Sequence, residues 1–357
     1  MEKIIFILIL CPTFLFSQLS SKDINTLFAQ ISKENTAGCA LLVVQGDKKI
    51  FEKAKGWANE ARSEKLTPLS NFRMASVSKQ FTAMSILILE KQGKLSFDDP
   101  LIKFFPDFSP VGKTIKIKHL LNHSSGLIDY EALMSDTLTR QLSDTDVLNM
   151  VKNIDSTYFK AGESYRYSNG AYCLMTLIVE RVSGQSFTTF MAEHIFQPLG
   201  MAHTQIFDNQ AIKNRAYGFA KNKKGQLAPR DQSLTSATQG DGGVYTSLND
   251  YFLWYKALQN NSLVSLDSIR QLHKNPLPQN KGFYNIGWFF NDEGELFHSG
   301  STCGFSNVVI YMPKKRVLVA FFSNIADNHK AFRPIYDYLR AKKVVQSDIW
   351  QWHDLTN

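Results

Sequence analysis

Strand-like patterning at both ends of this 357-residue chain, with helical periodicity between them, constrains its fold more than any other feature. Near the start, the runs CALLVVQ (39–45) and KIFEKAK (49–55) are apolar or alternating and are parted by Gly46-Asp47, which predicts a β-hairpin. Ahead of them, residues 23–35 carry Ile24, Leu27, Phe28 and Ile31 at the i, i+3, i+4, i+7 spacing of an amphipathic helix. After about Phe283 the alternation returns over 285–290, 304–312 and 316–322, and a helix near 328–343 closes the pattern. The middle reads as helices over 142–153, 169–182, 186–196 and 247–259, separated by loops rich in Gly, Asn and Pro. The expected class is α/β, in its α+β form. An antiparallel sheet is built from both termini and flanked by helices, with a mostly helical lobe inserted. A ligand cleft belongs where sheet and inserted lobe meet. Residues 18–345 form one domain of two lobes, the sheet lobe at about 20–75 with 283–345 and the helical lobe at about 76–282. The remaining 346–357 form a tail.

The N-terminus reads MEKIIFILILCPTFLFSQLS, one lysine followed by an apolar run from Ile4 to Phe16. The run is shorter than the ~20 residues of a membrane span. It fits a secretory signal peptide over residues 1–17, cut near Ser17, so the expectation is an exported, periplasmic or secreted protein with no membrane span after cleavage. Removing it leaves Cys39, Cys173 and Cys303, three scattered residues that make neither a disulfide framework nor a zinc spacing. Buried thiols are expected, with a single bridge as the alternative. With no His-Glu-x-x-His, Walker or dinucleotide motif, no cofactor and no metal are expected. The net charge of +8 is spread along the chain, and its clusters at 221–224 and 314–316 are short turns, which excludes a nucleic-acid stripe. The charge favours contact with anionic cell-envelope material.

Chemistry concentrates in three motifs. FRMASVSKQFTA (72–83) sets Ser76 and Lys79 three residues apart at the mouth of a run too apolar to be surface, so the two side chains share one helical face. An ammonium there needs partners, because burying it alone is costly. A hydroxyl nucleophile needs a neighbouring base and a site for the oxyanion, and the backbone N–H of Ser76 in a first helical turn is free to help. Composition alone supplies roughly two Ser-x-x-Lys matches in such a chain, so a helix start with an exposed lysine is the competing reading. In SYRYSNGAY, an extended backbone would project Tyr167 and Asn169 to one side, a phenol to pass protons and an amide to orient a carbonyl. Asn169 could equally cap the next helix. In ELFHSGSTCGF, His298, Ser299 and Gly300 sit on an expected edge strand, where Gly300 permits close approach and the Ser301 N–H could complete an oxyanion hole with that of Ser76.

Ser76-Val-Ser-Lys79 is the only Ser-x-x-Lys in the chain and Tyr167-Ser-Asn169 the only Tyr-x-Asn. In order and setting the three motifs resemble those of the active-site serine penicillin-recognising enzymes. The resemblance is closest to the branch holding class C β-lactamases, related DD-peptidases, esterases and D-amino-acid amidases. The runs HLLNHSSGL (119–127), QPLGM (197–201) and GGVYTS (242–247) also look like landmarks of that family, and the resemblance covers about 24 to 339. It implies Ser76 as acylated nucleophile, with Lys79 or Tyr167 as base or proton relay. It also implies Asn169, His298, Ser299 and Gly300 as substrate-binding residues. Histidine stands where class C β-lactamases carry lysine, which turns the expectation from a dedicated β-lactamase toward an esterase or a D-Ala-D-Ala-type peptidase. His123, Ser124 and Ser125 are expected to be structural.

The implied partner is a small-molecule, peptide or ester substrate, with cell-wall-derived material among the candidates, met by a monomer. From Gly282 to Pro313 there is neither lysine nor arginine, which weighs against a site that reads a terminal carboxylate. A neutral His298 contributing to the reaction would make activity rise through roughly pH 6–7. The rival class is a noncatalytic penicillin- or peptidoglycan-binding protein, whose mark would be loss of a motif element; all are present.

Overall fold

A computed structural model of the chain describes residues 19–350 apart from 209, 266–274 and 277–281. The expected signal peptide and the end of the expected tail lie outside the described residues. An eight-stranded antiparallel sheet forms one side of the molecule. In chain order its strands are β1 (Cys39–Gln45), β2 (Lys48–Lys55), β3 (Asn275–Pro276), β4 (Phe283–Asn285), β5 (Trp288–Phe290), β6 (Leu296–Thr302), β7 (Phe305–Met312) and β8 (Val317–Ser323). They lie side by side as β2-β1-β8-β7-β6-β5-β4-β3. The two ends of the chain therefore meet inside the sheet, Cys39 opposite Ser323 and Gln45 opposite Val317. β1, β7 and β8 are buried almost throughout, which is why they read as near-continuous apolar runs.

Helices α1 (Ser21–Ile31), α2 (Lys79–Lys91), α3 (Asp144–Val151), α4 (Asn169–Ser183), α5 (Leu248–Gln259) and α6 (Arg333–Ala341) complete the frame. α1 packs on α6 and β2, while α5 lies against β1 and β8. α2 is the axis of the inserted lobe. Each of its residues from Lys79 to Leu89 is buried, since α4, the turn that precedes it and the 187–196 segment surround it. A helix apolar all round is stable only in such a place. Among the described residues no helix is long and apolar enough to cross a membrane.

Two local expectations differ from the structure. Residues 285–290 are a hairpin instead of one strand, because Ile286 and Gly287 both take positive φ, the backbone of a tight two-residue turn. Gly287 is required there: a Cβ would sit 2.5 Å from the Gln80 nitrogen, so the hairpin tip presses on the first turn of α2. The 186–196 helix is α-helical only over Phe187–Met191 and then widens through Ala192–Phe196.

Candidate active site

Ser76 does not sit in the first turn of α2, as its spacing suggests, but in a separate 3-10 turn, Ala75–Ser78, just before it. Ala75 has φ +49, a conformation costly for a residue with a Cβ. The turn packs on β6 and β7. The kink leaves Ser76 half-exposed, while Ala75, Val77 and Ser78 are buried. Ser78 has a structural duty, accepting the Val244 N–H at 3.0 Å. Of the two serines in the motif, only Ser76 is partly exposed and has an amine beside it.

Lys79 is wholly buried, and its ammonium has three partners: Ser76 Oγ at 3.1 Å, Asn169 Oδ1 at 2.8 Å and the Asp241 carbonyl at 2.9 Å. The three acceptors match the donors an ammonium carries, which offsets much of its desolvation. Asn169 reaches Lys79 because Ser168, not Asn169, caps α4, accepting the Ala171 N–H at 3.2 Å. The amide of Asn169 in turn donates to Glu131 Oε1 at 2.8 Å. The Tyr167 ring lies 5.0 Å from the Lys79 ammonium, and the Tyr167 hydroxyl is buried with no hydrogen-bond partner among the described residues. Lys79, not Tyr167, touches the serine.

His123 explains how Tyr167 is held. It is fully buried in a left-handed backbone position, and its ring lies 4.2 Å from that of Tyr167 and 4.3 Å from that of Tyr284. Its Nδ1 accepts the Ser168 N–H at 3.2 Å. Burial, then the nearby charge of Lys79, then His298 hold its pKa well below the ordinary imidazole value. Structural service was expected of this HSS stretch, and positioning of the Tyr-x-Asn segment is its content.

The opposite wall is β6. Among the described residues β5 pairs with it at Leu296 and Phe297, so β6 is interior at its start and has no ladder partner on that side from His298 onward. The edge-strand expectation thus holds for the motif but not for the whole strand. Gly300 lets the turn of Ser76 close on it: a Cβ there would lie 2.2 Å from the Met74 carbonyl oxygen and 3.2 Å from the Ser76 nitrogen. Ser299 is buried and Ser301 exposed. His298 is fully buried; its Nδ1 donates to the Ser299 carbonyl at 2.6 Å, and its Nε2 accepts from the Tyr284 hydroxyl at 3.0 Å. Burial first and Lys79 second push its pKa down to about 3. The expected titration of His298 at pH 6–7 does not fit this packing: the imidazole stays neutral down to about pH 3, with both nitrogens engaged inside the protein.

Several contributors lie outside the motifs. Asp241 holds Lys79 through a main-chain carbonyl, which no side-chain pattern reveals, although GGVYTS begins one residue later. Glu131 and Tyr284 come from the turn after HSSGL and from β4, distant in sequence from their partners. The thiols of Cys39, Cys173 and Cys303 are all free, the first two buried as expected and Cys303 partly exposed on the β6–β7 turn. No group of metal-binding side chains occurs among the described residues.

Known proteins resemble this chain in sequence and in fold. A family model described as Beta-lactamase matches residues 24–342. Penicillin-binding protein 4* of Bacillus subtilis is 30% identical over 329 residues, covering 86% of this chain and 72% of that protein. Protein flp of Staphylococcus aureus strain MW2 is 28% identical over 317 residues, and the match spans 86% of this chain but only 63% of that longer relative. Among solved structures, the penicillin binding protein from Bacillus halodurans superposes with a TM-score of 0.77 at 25% identity, over 88% of this chain and 98% of that one.

Proposed function

The chain belongs to the beta-lactamase family of serine hydrolases, and within it we propose an esterase or D-Ala-D-Ala-type peptidase that acts through an acyl-enzyme on Ser76. The observation that carries this reading is the 3.1 Å contact between Ser76 Oγ and a buried Lys79 ammonium whose other partners are fixed. Once Lys79 has lost a proton to solvent or product, its amine accepts the serine proton as Oγ bonds to the substrate carbonyl carbon. The tetrahedral oxygen is stabilised by the backbone N–H groups of Ser76 and Ser301. Collapse expels the alcohol or amine, which takes the proton back from Lys79, and water then releases the acid by the same steps in reverse roles. Lys79 is the immediate proton acceptor in this scheme because its amine lies 3.1 Å from the hydroxyl, whereas the Tyr167 hydroxyl makes no hydrogen bond among the described residues. Tyr167, stacked beside it, is the relay toward the leaving group. Asn169 orients the substrate carbonyl with the amide hydrogen that Glu131 does not take, while His298, Ser299 and Gly300 shape the opposite wall.

Of the two, the ester is favoured over the peptide, whose terminal carboxylate, like that of a penicillin, would meet only a neutral imidazole and no cation on the β6 wall. Export rests on the apolar run from Ile4 to Phe16. A monomeric protein without cofactor, arranged as one domain of two lobes, completes the reading. The test is purified protein against p-nitrophenyl esters, a D-Ala-D-Ala peptide, D-amino-acid amides and nitrocefin, with Ser76→Ala as control. Turnover of esters or peptide above nitrocefin, all lost in the variant, is expected. Nitrocefin as the best substrate would restore the β-lactamase reading, and turnover that survives Ser76→Ala would remove the nucleophile.

A further inference from the structure

Behind Lys79, outside all three motifs, lies a buried carboxylate with no evident duty. Asp144 is the first residue of α3, yet it does not serve the helix end. Ser143 and Asp146 cap one another there, and Asp146 pairs with Arg140 at the surface. Asp144 turns inward, accepting the Gln239 N–H at 2.9 Å and the Gly240 N–H at 3.4 Å. The next residue, Asp241, presents the carbonyl that holds Lys79. The same strap is pinned by Thr82, which donates to the Gly240 carbonyl at 2.6 Å, and by Arg73, which donates to that of Gly242. Gly240 leaves it no slack on the third side, since a Cβ there would meet Thr176 Oγ1 at 2.1 Å and the Tyr172 carbonyl at 2.3 Å.

We propose that Asp144 is a positioning residue, fixing through the 239–241 strap the carbonyl that aims Lys79 at Ser76. The inference rests on the serine-hydrolase reading above. Two N–H donors converge on its carboxylate, an arrangement that favours the ionised form; a protonated oxygen would meet one of them as a donor. Asp241 faces it from the strap and Cys173 from α4, with Tyr130 and Glu131 behind them. Burial first, and the Asp241 charge second, push Asp144 up to about 7. Protonation as pH falls through that value slackens the strap, so activity carries an acid limb near neutrality. His298, neutral at all these pH values, does not supply it.

The experiment is the pH profile of kcat and KM on a neutral p-nitrophenyl ester, from about pH 5.5 to 9, for wild type, Asp144→Asn and Thr82→Val. Asp144→Asn is expected to lower kcat by ~10- to 100-fold with KM nearly unchanged, because a small misplacement of Lys79 is felt in the reaction and not in binding. Its acid limb near pH 7 should disappear. Thr82→Val loosens the same strap without removing a titrating group, so kcat should fall while the limb stays; this keeps the inference testable if Asp144→Asn fails to fold. A wild-type limb that survives Asp144→Asn, or wild-type kcat in Thr82→Val, would overturn the positioning role. Absence of ester turnover in wild type would instead bring down the hydrolase reading, and this one with it.

Discussion

The two walls of the cleft are built on opposite principles. The sheet wall, β6 with Tyr284 behind it, is neutral and close-packed: a doubly bonded imidazole and a glycine pressed on the Ser76 turn. On the helical side stand all the formal charges of the site, a buried ammonium held by a carbonyl and an amide, with Glu131, Asp144 and Asp241 around it. On the proposed mechanism, shape and proton chemistry thus fall to opposite walls. A change in the helical wall should alter the rate and its pH dependence, whereas one in the sheet wall should alter fit and stability.

The hardest blow to this division is Lys79→Ala. Loss of the base should cost ~10²- to 10⁴-fold in kcat with the fold retained, measured by steady-state kinetics beside circular dichroism. Activity within tenfold of wild type would move the proton chemistry off the helical side. Next comes stability against pH. A histidine with ordinary affinity for protons when unfolded, but a pKa of about 3 when folded, stabilises the native state fully above about pH 6.5. That contribution is lost as pH falls toward 3, at about 1.4 kcal/mol per pH unit. Urea titrations of wild type and His298→Gln, taken as a difference, cancel the like-signed slope of His123 and the opposite slope of Asp144. A smaller slope in the variant is expected, and equal slopes would place a charged imidazole in the wall.

Gly300→Ala forces a Cβ onto the Met74 carbonyl and should destabilise by about 1–3 kcal/mol, lowering Tm and the acylation rate together. Unchanged Tm would mean the walls are not in contact there. The smallest effect belongs to Arg140→Ala. Its pair with Asp146 lies in solvent, where water and salt screen it, so neither Tm, the pH profile nor kcat should move measurably.

The difference between the walls also governs what the sequence reveals. Sheet strands β1, β7 and β8 and helices α4 and α5 are legible to within a residue or two, because a strand buried on both faces reads as an unbroken apolar run and a packed helix as a longer one bounded by its cap. The hairpin at 283–290 is not, since Ile286 in a left-handed position contradicts the turn preference of its own side chain. Ser76, Lys79 and Asn169 stand out as side-chain chemistry at fixed spacing. Their supports do not: the Asp241 carbonyl is backbone, Asp144 looks like an ordinary helix-start acid, and Tyr284 is one aromatic among many. His298 was visible as a residue, but its neutrality depends on burial that only packing produces.

Reaction of the protein with a fluorophosphonate, followed by peptide mapping of the adduct, tests the core of this reading most directly. A single adduct on Ser76, formed in wild type and absent from Ser76→Ala, is the predicted result. An adduct on Ser78 or elsewhere, or none in folded protein, would contradict it.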